Sequence, residues 1–503
     1  MSRSKSLENF PSGIVEGFYG PPWSHLDRLY MIRFLSDSGF NTYMYAPKND
    51  DYHRTEWRKD YPESAAQNLR ELIRACEIFS VNFVFTVSPG LGMVYSDGNE
   101  TELLLKKLRA CIDMGCTWVG VLLDDIGTEF AHDQDKKAFS NIAKAHSFVL
   151  NTVKDALQKN GKIRISFCPT YYANDYLGKK IENNDYLKEI GSELDPSIDV
   201  LWTGKFVVSP TITVEDAQNF SHAVKRKPLL WDNYPVNDYF RSEKGTGLRL
   251  NVGPFSGRSP ELLSYLSGYL ANPMNEIEAS KIPLLTLAHY LQHPKTYSPG
   301  ESFRKAMEEV FASESDVRKE LEDFMHCSRA SALDPSSEAE DLRGSVGSLK
   351  VMLSRSKKPS ATTLGGFVRS LREKLDYYDS LGRVLEAGTR NRKLLLELQP
   401  ALEKLQKLAL LGVKCLEYVE VIAKDSELLT NPPAALEGEV RKAALRVRED
   451  HTQILGQVDF GWRPDEKPGS KTTALDDKGV PEFFSESPIM ELYEFVTAKW
   501  RAA

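Results

Sequence analysis

The sequence predicts an α/β protein: a (β/α)8 TIM barrel followed by an all-α helical bundle. Three observations predict it. Eight short apolar, β-rich runs alternate with amphipathic helical stretches between residues 13 and 298. That alternation builds a parallel sheet, and eight repeats suit a barrel, which takes roughly 250 residues. The runs end in polar and aromatic residues, as at the face where barrel enzymes assemble their sites. From residue 299 onward nearly all apolar residues recur at helical spacing. An open doubly wound sheet is the alternative, but its glycine fingerprint is missing. Gly17 and Gly20 do not form GxGxxG, and Pro21-Pro22 follow them.

The predicted strands are residues 13–19 (GIVEGFY), 42–46 (TYMYA), 82–88 (NFVFTVS), 117–125, 163–168 (IRISFC), 198–203 (IDVLWT), 228–232 (PLLWD) and 248–252 (LRLNV). Helical spacing predicts helices at 26–38, 65–78, 102–114, 135–159, 185–190, 214–224, 259–270 and 276–289. His132 and Asp133 read as the cap of the helix at 135–159 rather than as metal ligands. Tyr297-Ser298-Pro299-Gly300 marks a boundary. Beyond it, Leu364, Val368, Leu371, Leu375 and Leu381 form one apolar helical face, and Leu402, Leu405, Leu408 and Leu416 form another. The expected organisation is an N-terminal arm (1–12), a catalytic barrel (13–298), a helical bundle (299–456) and a C-terminal loop or tail (457–503) with a final helix near 488–500.

Composition narrows the function. A net charge of −7 argues against nucleic acid or an anionic membrane as the main partner. No apolar run reaches the ~18 residues that span a bilayer. The opening MSRSKSLENFPSG lacks an apolar signal core, so a cytoplasmic location is expected. The six cysteines lie in apolar segments without metal-ligand spacing and read as buried thiols in a reducing compartment. No phosphate loop, dinucleotide fingerprint or metal cluster appears, so neither metal nor cofactor is expected.

One run stands out. VGVLLDDI (119–126) is an apolar strand ending in two adjacent carboxylates, Asp124 and Asp125. Burying one such charge is costly, and holding two like charges together is more so. The bland reading is a helix cap beside a solvated acid. The other strand ends bring Glu16, Lys48, Asn49, His53, Tyr171, Tyr172, Trp202, Trp231, Asp232 and Asn233 to the same rim. Aromatic walls with hydroxyl-binding carboxylates and amides suit a pyranose, whose C–H faces stack on rings. Side chains of consecutive strand residues point to opposite faces. Both acids can therefore meet one sugar only if the strand ends near Asp124 and Asp125 turns into the loop. Glu16 and Asp232 read as satisfied internal carboxylates, and His53 with Arg54 as a loop brace.

The runs GIVEGFYGPPW, YMYAPKNDDYHRTEWRKDYP, LLDDI, FCPTYY and WDNYPVNDY, in this order, resemble glycoside hydrolase family 84. That family holds β-N-acetylglucosaminidases that remove O-linked GlcNAc from proteins (O-GlcNAcases, here of bacterial type) and hyaluronidase-like relatives. The resemblance implies a retaining hydrolase in which the sugar's 2-acetamido oxygen attacks the anomeric carbon and forms an oxazoline, an exception to the two-carboxylate scheme. It implies that Asp124 polarises the acetamido N–H and that Asp125 is general acid and then base. Their like charges should raise one carboxyl's pKa while the other stays ionised. It further implies sugar ligands: Gly13 and Lys48 at the 3-hydroxyl, Tyr172 at the acetamido carbonyl, Trp231 beneath the acetyl methyl and Asn233 near the reacting centre. Asp238 and Asn272 match ligands of the 4- and 6-hydroxyls, and Tyr176 an aromatic on the aglycone side. Asn49 and Tyr171 depart from the family pattern, each standing where an acid is common.

The expected partner is a GlcNAc-bearing glycoprotein, peptide or glycan, and self-association as a homodimer would run through the helical region. A hexosaminidase acting on GlcNAc-containing glycans, cell-wall or hyaluronan fragments is the alternative enzyme. A non-catalytic GlcNAc-binding scaffold is the alternative outside enzymes.

Overall fold

A computed structural model describes residues 10–158, 163–238, 250–329, 333, 340–354, 360–424, 438–443, 489, 492, 493 and 495. Eight parallel strands close into a barrel. In chain order the elements are β1 (Ser12–Glu16), α1 (His25–Asp37), β2 (Thr42–Tyr45), α2 (Glu63–Ile78), β3 (Asn82–Val87), α3 (Gly98–Asp113), β4 (Trp118–Leu122), α4 (Asp133–Ala138), α5 (Ile142–Gln158) and β5 (Arg164–Cys168). A small hairpin, β6 (Asp175–Tyr176) and β7 (Lys179–Lys180), precedes α6 (Asp185–Glu193). Then come β8 (Asp199–Trp202), α7 (Val214–Val224), β9 (Leu229–Asp232), β10 (Gly268–Ala271) and α8 (Ile277–Gln292). The barrel order is β1-β10-β9-β8-β5-β4-β3-β2, closed by β1 against β2.

Local chemistry explains the helix starts. Ser24 with Asp27, and Thr213 with Asp216, form capping boxes on α1 and α7. Asp97 and Asn184 cap α3 and α6. The barrel strands are buried throughout, apart from first residues such as Asn82 and Arg164, as strands covered by helices must be.

Three expectations are corrected. The eighth strand is β10, not 248–252. Residues 248–249 lie outside the described residues, and Leu250–Val252 run as loop, with the Asn251 amide donating to the Val236 carbonyl at 2.7 Å. Residues 259–270, expected as a helix, form one 3-10 turn (Pro260–Tyr265) and then β10. Gly268 permits this: a Cβ there would lie 3.0 Å from the Pro11 carbonyl oxygen and 2.6 Å from the Leu229 side chain. The helix expected at 135–159 is two helices. Asn141, whose side chain accepts from Lys144 N at 2.9 Å, starts the second.

After α8 the described chain is helical: α9 (Pro299–Val310), α10 (Arg318–Cys327), α11 (Glu340–Ser354), α12 (Ala361–Gly388) and α13 (Arg392–Lys424). These helices share a second apolar cluster with one side of α8, while the other side of α8 belongs to the barrel core. Helix α8 is thus buried nearly all round, as its almost continuous apolar sequence requires. Ile489, Leu492, Tyr493 and Phe495 are helical, within the final helix expected near 488–500. Residues 1–9 of the arm, 444–456 of the expected bundle and 457–488 of the expected tail lie outside the described residues. Among the described residues no helix is long and apolar enough to cross a membrane, and no His, Cys, Asp or Glu cluster could hold a metal ion. All six cysteines are buried.

Candidate active site

Strand β4 ends at Leu122, and the next residue is still tied to β5. Leu123 N donates to the Cys168 carbonyl at 2.9 Å, and the Thr170 hydroxyl donates to the Leu123 carbonyl at 2.9 Å. The chain then turns. Asp125 has φ 52°, in the left-handed region that Asp tolerates better than most residues. This is the bend that two adjacent acids need in order to share one site.

The two carboxylates have different surroundings. Asp124 is buried, and the Lys48 ammonium donates to its Oδ2. Among the described residues its Oδ1 is buried without a hydrogen-bond partner. Burial alone would push the Asp124 carboxyl up, but the Lys48 charge and hydrogen bond, with Arg54, hold it below the ordinary carboxylate value. Asp125 accepts from two phenols, Tyr172 at Oδ1 and Tyr19 at Oδ2, each at 2.8 Å. Burial first, then the Asp125 charge, raises both tyrosines well above their usual range, so both act as neutral donors. Arg54 Nη1 donates to the Tyr19 hydroxyl at 3.2 Å, which orients that hydroxyl's proton toward Asp125.

An aromatic and amide wall surrounds the pair. The Lys48 ammonium lies 5.5 Å from the Tyr19 ring and 5.6 Å from the Trp231 ring. Trp231 Nε1 donates to Asn233 Oδ1 at 3.0 Å, and Asn272 Nδ2 donates to the same oxygen at 3.0 Å. The Gly17 N–H closes on Asn272 Oδ1 at 3.2 Å, and Tyr19 N donates to Asp238 Oδ2 at 2.9 Å. Tyr176 packs on Tyr172 with ring centroids 4.5 Å apart. The ends of β1, β2, β4, β5, β9 and β10 therefore meet at one mouth.

A sequence model of the family described as beta-N-acetylglucosaminidase matches residues 12–326. The chain belongs to this family. It is 38% identical over 279 residues to the protein O-GlcNAcases of Rattus norvegicus and Mus musculus. The match covers 56% of this chain and 30% of each relative, so the chain spans about a third of the length of those proteins. Among solved structures, a mutant of the Thermobaculum terrenum O-GlcNAc hydrolase superposes with TM-score 0.78 at 31% identity, over 99% of this chain and 96% of that one. The structure described as CpGH84B gives TM-score 0.71 at 27% identity, over 89% of this chain and 74% of its own.

In this member of the beta-N-acetylglucosaminidase family, Asp124, Asp125, Lys48, Tyr172, Tyr176, Trp231, Asn233, Asp238 and Asn272 gather at the mouth. Gly13 does not. It is the second residue of β1, paired with Thr42 and Leu270 inside the ladder. A Cβ there would meet the Thr42 carbonyl oxygen at 1.7 Å, so its smallness serves strand packing. The glycine at the mouth is Gly17, where a Cβ would sit 2.2 Å from Trp231. Tyr19 was also missed as a site residue. Both lie in the GFYG run, where residue type alone does not say which backbone faces the cavity.

The supporting groups behave as buried polar residues should. Glu16 accepts two bonds from Arg28 Nε and one from Nη2, and receives the Tyr43 hydroxyl. Asp232 takes Arg258 through Nε at 3.0 Å and Nη2 at 2.8 Å, together with the Tyr269 hydroxyl. The Thr86 hydroxyl donates to the Tyr45 carbonyl, so it accepts from His53 Nε2–H at 2.8 Å. Burial, then Lys48, pushes the His53 imidazole down to about 3, which leaves it a neutral brace for the loop.

Proposed function

We propose that this protein is a retaining exo-β-N-acetylglucosaminidase that hydrolyses β-linked GlcNAc, including GlcNAc on Ser or Thr of glycoproteins, by substrate-assisted catalysis. The observation that carries the reading is the asymmetric carboxylate pair. Asp124 has one oxygen neutralised by Lys48 and the other buried and unpartnered, while two neutral phenols aim Asp125.

An amide oxygen is a weak nucleophile until its N–H is held by a base. The open Oδ1 of Asp124 accepts that N–H, and its depressed pKa keeps it ionised for the task. As the acetamido oxygen bonds to the anomeric carbon, the glycosidic C–O bond breaks and Asp125 gives its proton to the leaving oxygen. The oxazoline is then opened by water at the anomeric carbon. Asp125 takes the water's proton, and the acetamide re-forms. Two inversions give net retention. Trp231 and Tyr172 line the acetyl pocket, Lys48 also reaches the 3-hydroxyl, and Asn272 with Asp238 faces the 4- and 6-hydroxyls.

Hydrolysis of an aryl β-GlcNAc, with no turnover of the matching 2-hydroxy glucoside, is the expected result. Equal cleavage of both would reject acetamido participation. A panel of β-GlcNAc on a peptide, a chitobiose unit and hyaluronan fragments tests the natural acceptor. The expected order places the glycopeptide first, and a preference for either glycan would overturn that assignment.

A further inference from the structure

Helix α8 lies between the barrel and the helices that follow it. Ile277, Leu284 and Leu287 pack into the barrel core, and Ala279, Ile282 and Leu285 pack into the second cluster. The first N–H groups of a helix need acceptors. The N-cap residue of α8, Glu276, supplies none from its side chain; that carboxylate accepts from Asn237 Nδ2 at 2.9 Å, next to Asp238. The acceptor comes from α13. Glu397 Oε2 receives Glu278 N at 2.8 Å and Ala279 N at 3.0 Å. Asn391, at the start of α13, adds a second link by donating to Glu278 Oε2 at 2.8 Å.

The segment leading into α8 is tied to the mouth along its length. Asn275 Nδ2 donates to the Tyr19 carbonyl at 3.0 Å and the Pro21 carbonyl at 2.7 Å, and the Asn275 carbonyl accepts Trp23 Nε1 at 3.0 Å. Asn272 holds Gly17 N and Asn233, and Asp238 holds Tyr19 N. One end of this strap lines the pocket and the other end is gripped by α13.

We infer that Glu397 is a positioning residue for the sugar. By capping α8 from the helical region it fixes the 272–276 strap, and through it the Asn272 and Asp238 that face the 4- and 6-hydroxyls. This rests on the reading of the mouth as a GlcNAc site. It also gives the helical region a part in substrate binding. The charged groups around the clamp are Glu276, Glu278, Lys281 (on Glu278), Lys393 and Asp27 (on Lys393). The Glu397 oxygen takes two of the N–H groups that the first turn of α8 leaves without a partner in the helix.

The test compares aryl β-GlcNAc with its 4-deoxy and 6-deoxy analogues on the full chain. Glu397→Leu should raise KM for the parent sugar about 5-fold or more with kcat within about 2-fold, because the lost contacts act equally on ground and transition states. The penalty for either deoxy analogue should shrink toward one, since hydroxyls whose ligands are displaced contribute little. A role in stability alone would leave that penalty intact. Glu397→Gln keeps an acceptor oxygen and should restore KM and the full penalty. Asn391→Asp retains the cap on Leu394 N but loses the donor to Glu278. It should shift KM the same way to a smaller extent, and it reads the clamp even if Glu397→Leu does not fold. Parental KM and an unchanged deoxy penalty in Glu397→Leu, or in Asn391→Asp where Glu397→Leu does not fold, would overturn the inference. A parent protein that does not cleave aryl β-GlcNAc would instead overturn the functional reading beneath it.

Discussion

Replacing Lys48 with Met tests the electrostatics of the pair through its pH dependence. The Lys48 side chain is 2% exposed and that of Asp124 is 7% exposed, so the ion pair is almost fully removed from water. At an effective dielectric near 20, two unit charges about 4 Å apart interact by about 4 kcal/mol, or roughly three pKa units. Removing Lys48 leaves Asp124 with its burial penalty against the weaker pulls of Arg54 and of its own backbone N–H. Its pKa should then move from below the usual 3.8 to above it. In the proposed mechanism Asp124 must be ionised to hold the acetamido N–H, so the acid limb of kcat/KM should shift upward, by on the order of two units. Stability follows the same linkage. In the parent the depressed folded value contributes stability above the unfolded value, and this is lost as pH falls through the folded value. In Lys48→Met the sign reverses, and stability falls as pH rises through the new, raised value. The stability gap between parent and variant should therefore widen from pH 4 to pH 8, toward the ~3–5 kcal/mol typical of an orphaned buried charge, and the melting-temperature gap should widen with it. The assay is kcat/KM on an aryl β-GlcNAc across pH 4–9, with thermal melts at both ends. A variant whose acid limb stays in place and whose melting gap is independent of pH would refute the role given to this ion pair.

Three further outcomes are expected. Asp125→Ala should lose about 100-fold or more on glycosides with poor leaving groups and much less on an activated aryl glycoside, which needs little protonation; equal losses would reject Asp125 as the acid. Gly17→Ala should fold but lose about 100-fold in kcat/KM, because its Cβ would fall 2.2 Å from a Trp231 ring already anchored to Asn233; parental activity with unchanged tryptophan fluorescence would contradict the close approach. Burial, then Glu276 and Glu278, against the pull of Ala279 N–H and Lys393, raises the Glu397 carboxyl to about 8. The parent should therefore lose stability as pH rises from about 5 to 8, by a few kcal/mol at most, and Glu397→Gln should flatten that slope; identical slopes in thermal melts would reject the shift.

The order of the barrel is legible because most strands are fully buried and read as short apolar runs between turn signals. The eighth strand is not. Leu262, Leu263, Leu266 and Leu270 mimic helical spacing, and β10 is only Gly268–Ala271. Its strand identity comes from pairing on both sides, with β1 and with β9, which no local pattern encodes. Asn141 signals its helix start in the sequence, but the long apolar periodicity around it conceals the break. At the site, residue types at strand ends point to a sugar. The partner sets do not, because Lys48 meets Asp124 across 76 positions and Tyr19 meets Asp125 across 106. Choosing between Gly13 and Gly17 needs the strand's end, and tertiary contacts decide that end. Like-charge repulsion suggests that one carboxyl rises. The nearest cation instead settles which one is held down.

The adjacency of Asp124 and Asp125 is itself a constraint on mechanism. Two residues in sequence begin with the same chemistry and nearly the same place, so any division of labour must come from backbone direction and from partners. The left-handed turn at Asp125 costs on the order of 1 kcal/mol for a residue other than glycine. It sends one side chain to the phenols that follow β1 and β5 while its neighbour stays with the ammonium after β2. A cation fixes the first carboxylate in its charged state. Neutral donors orient the second without adding charge, so that it can exchange a proton with the leaving oxygen and then with water. The turn at Asp125 is therefore what allows neighbouring aspartates to take opposite roles.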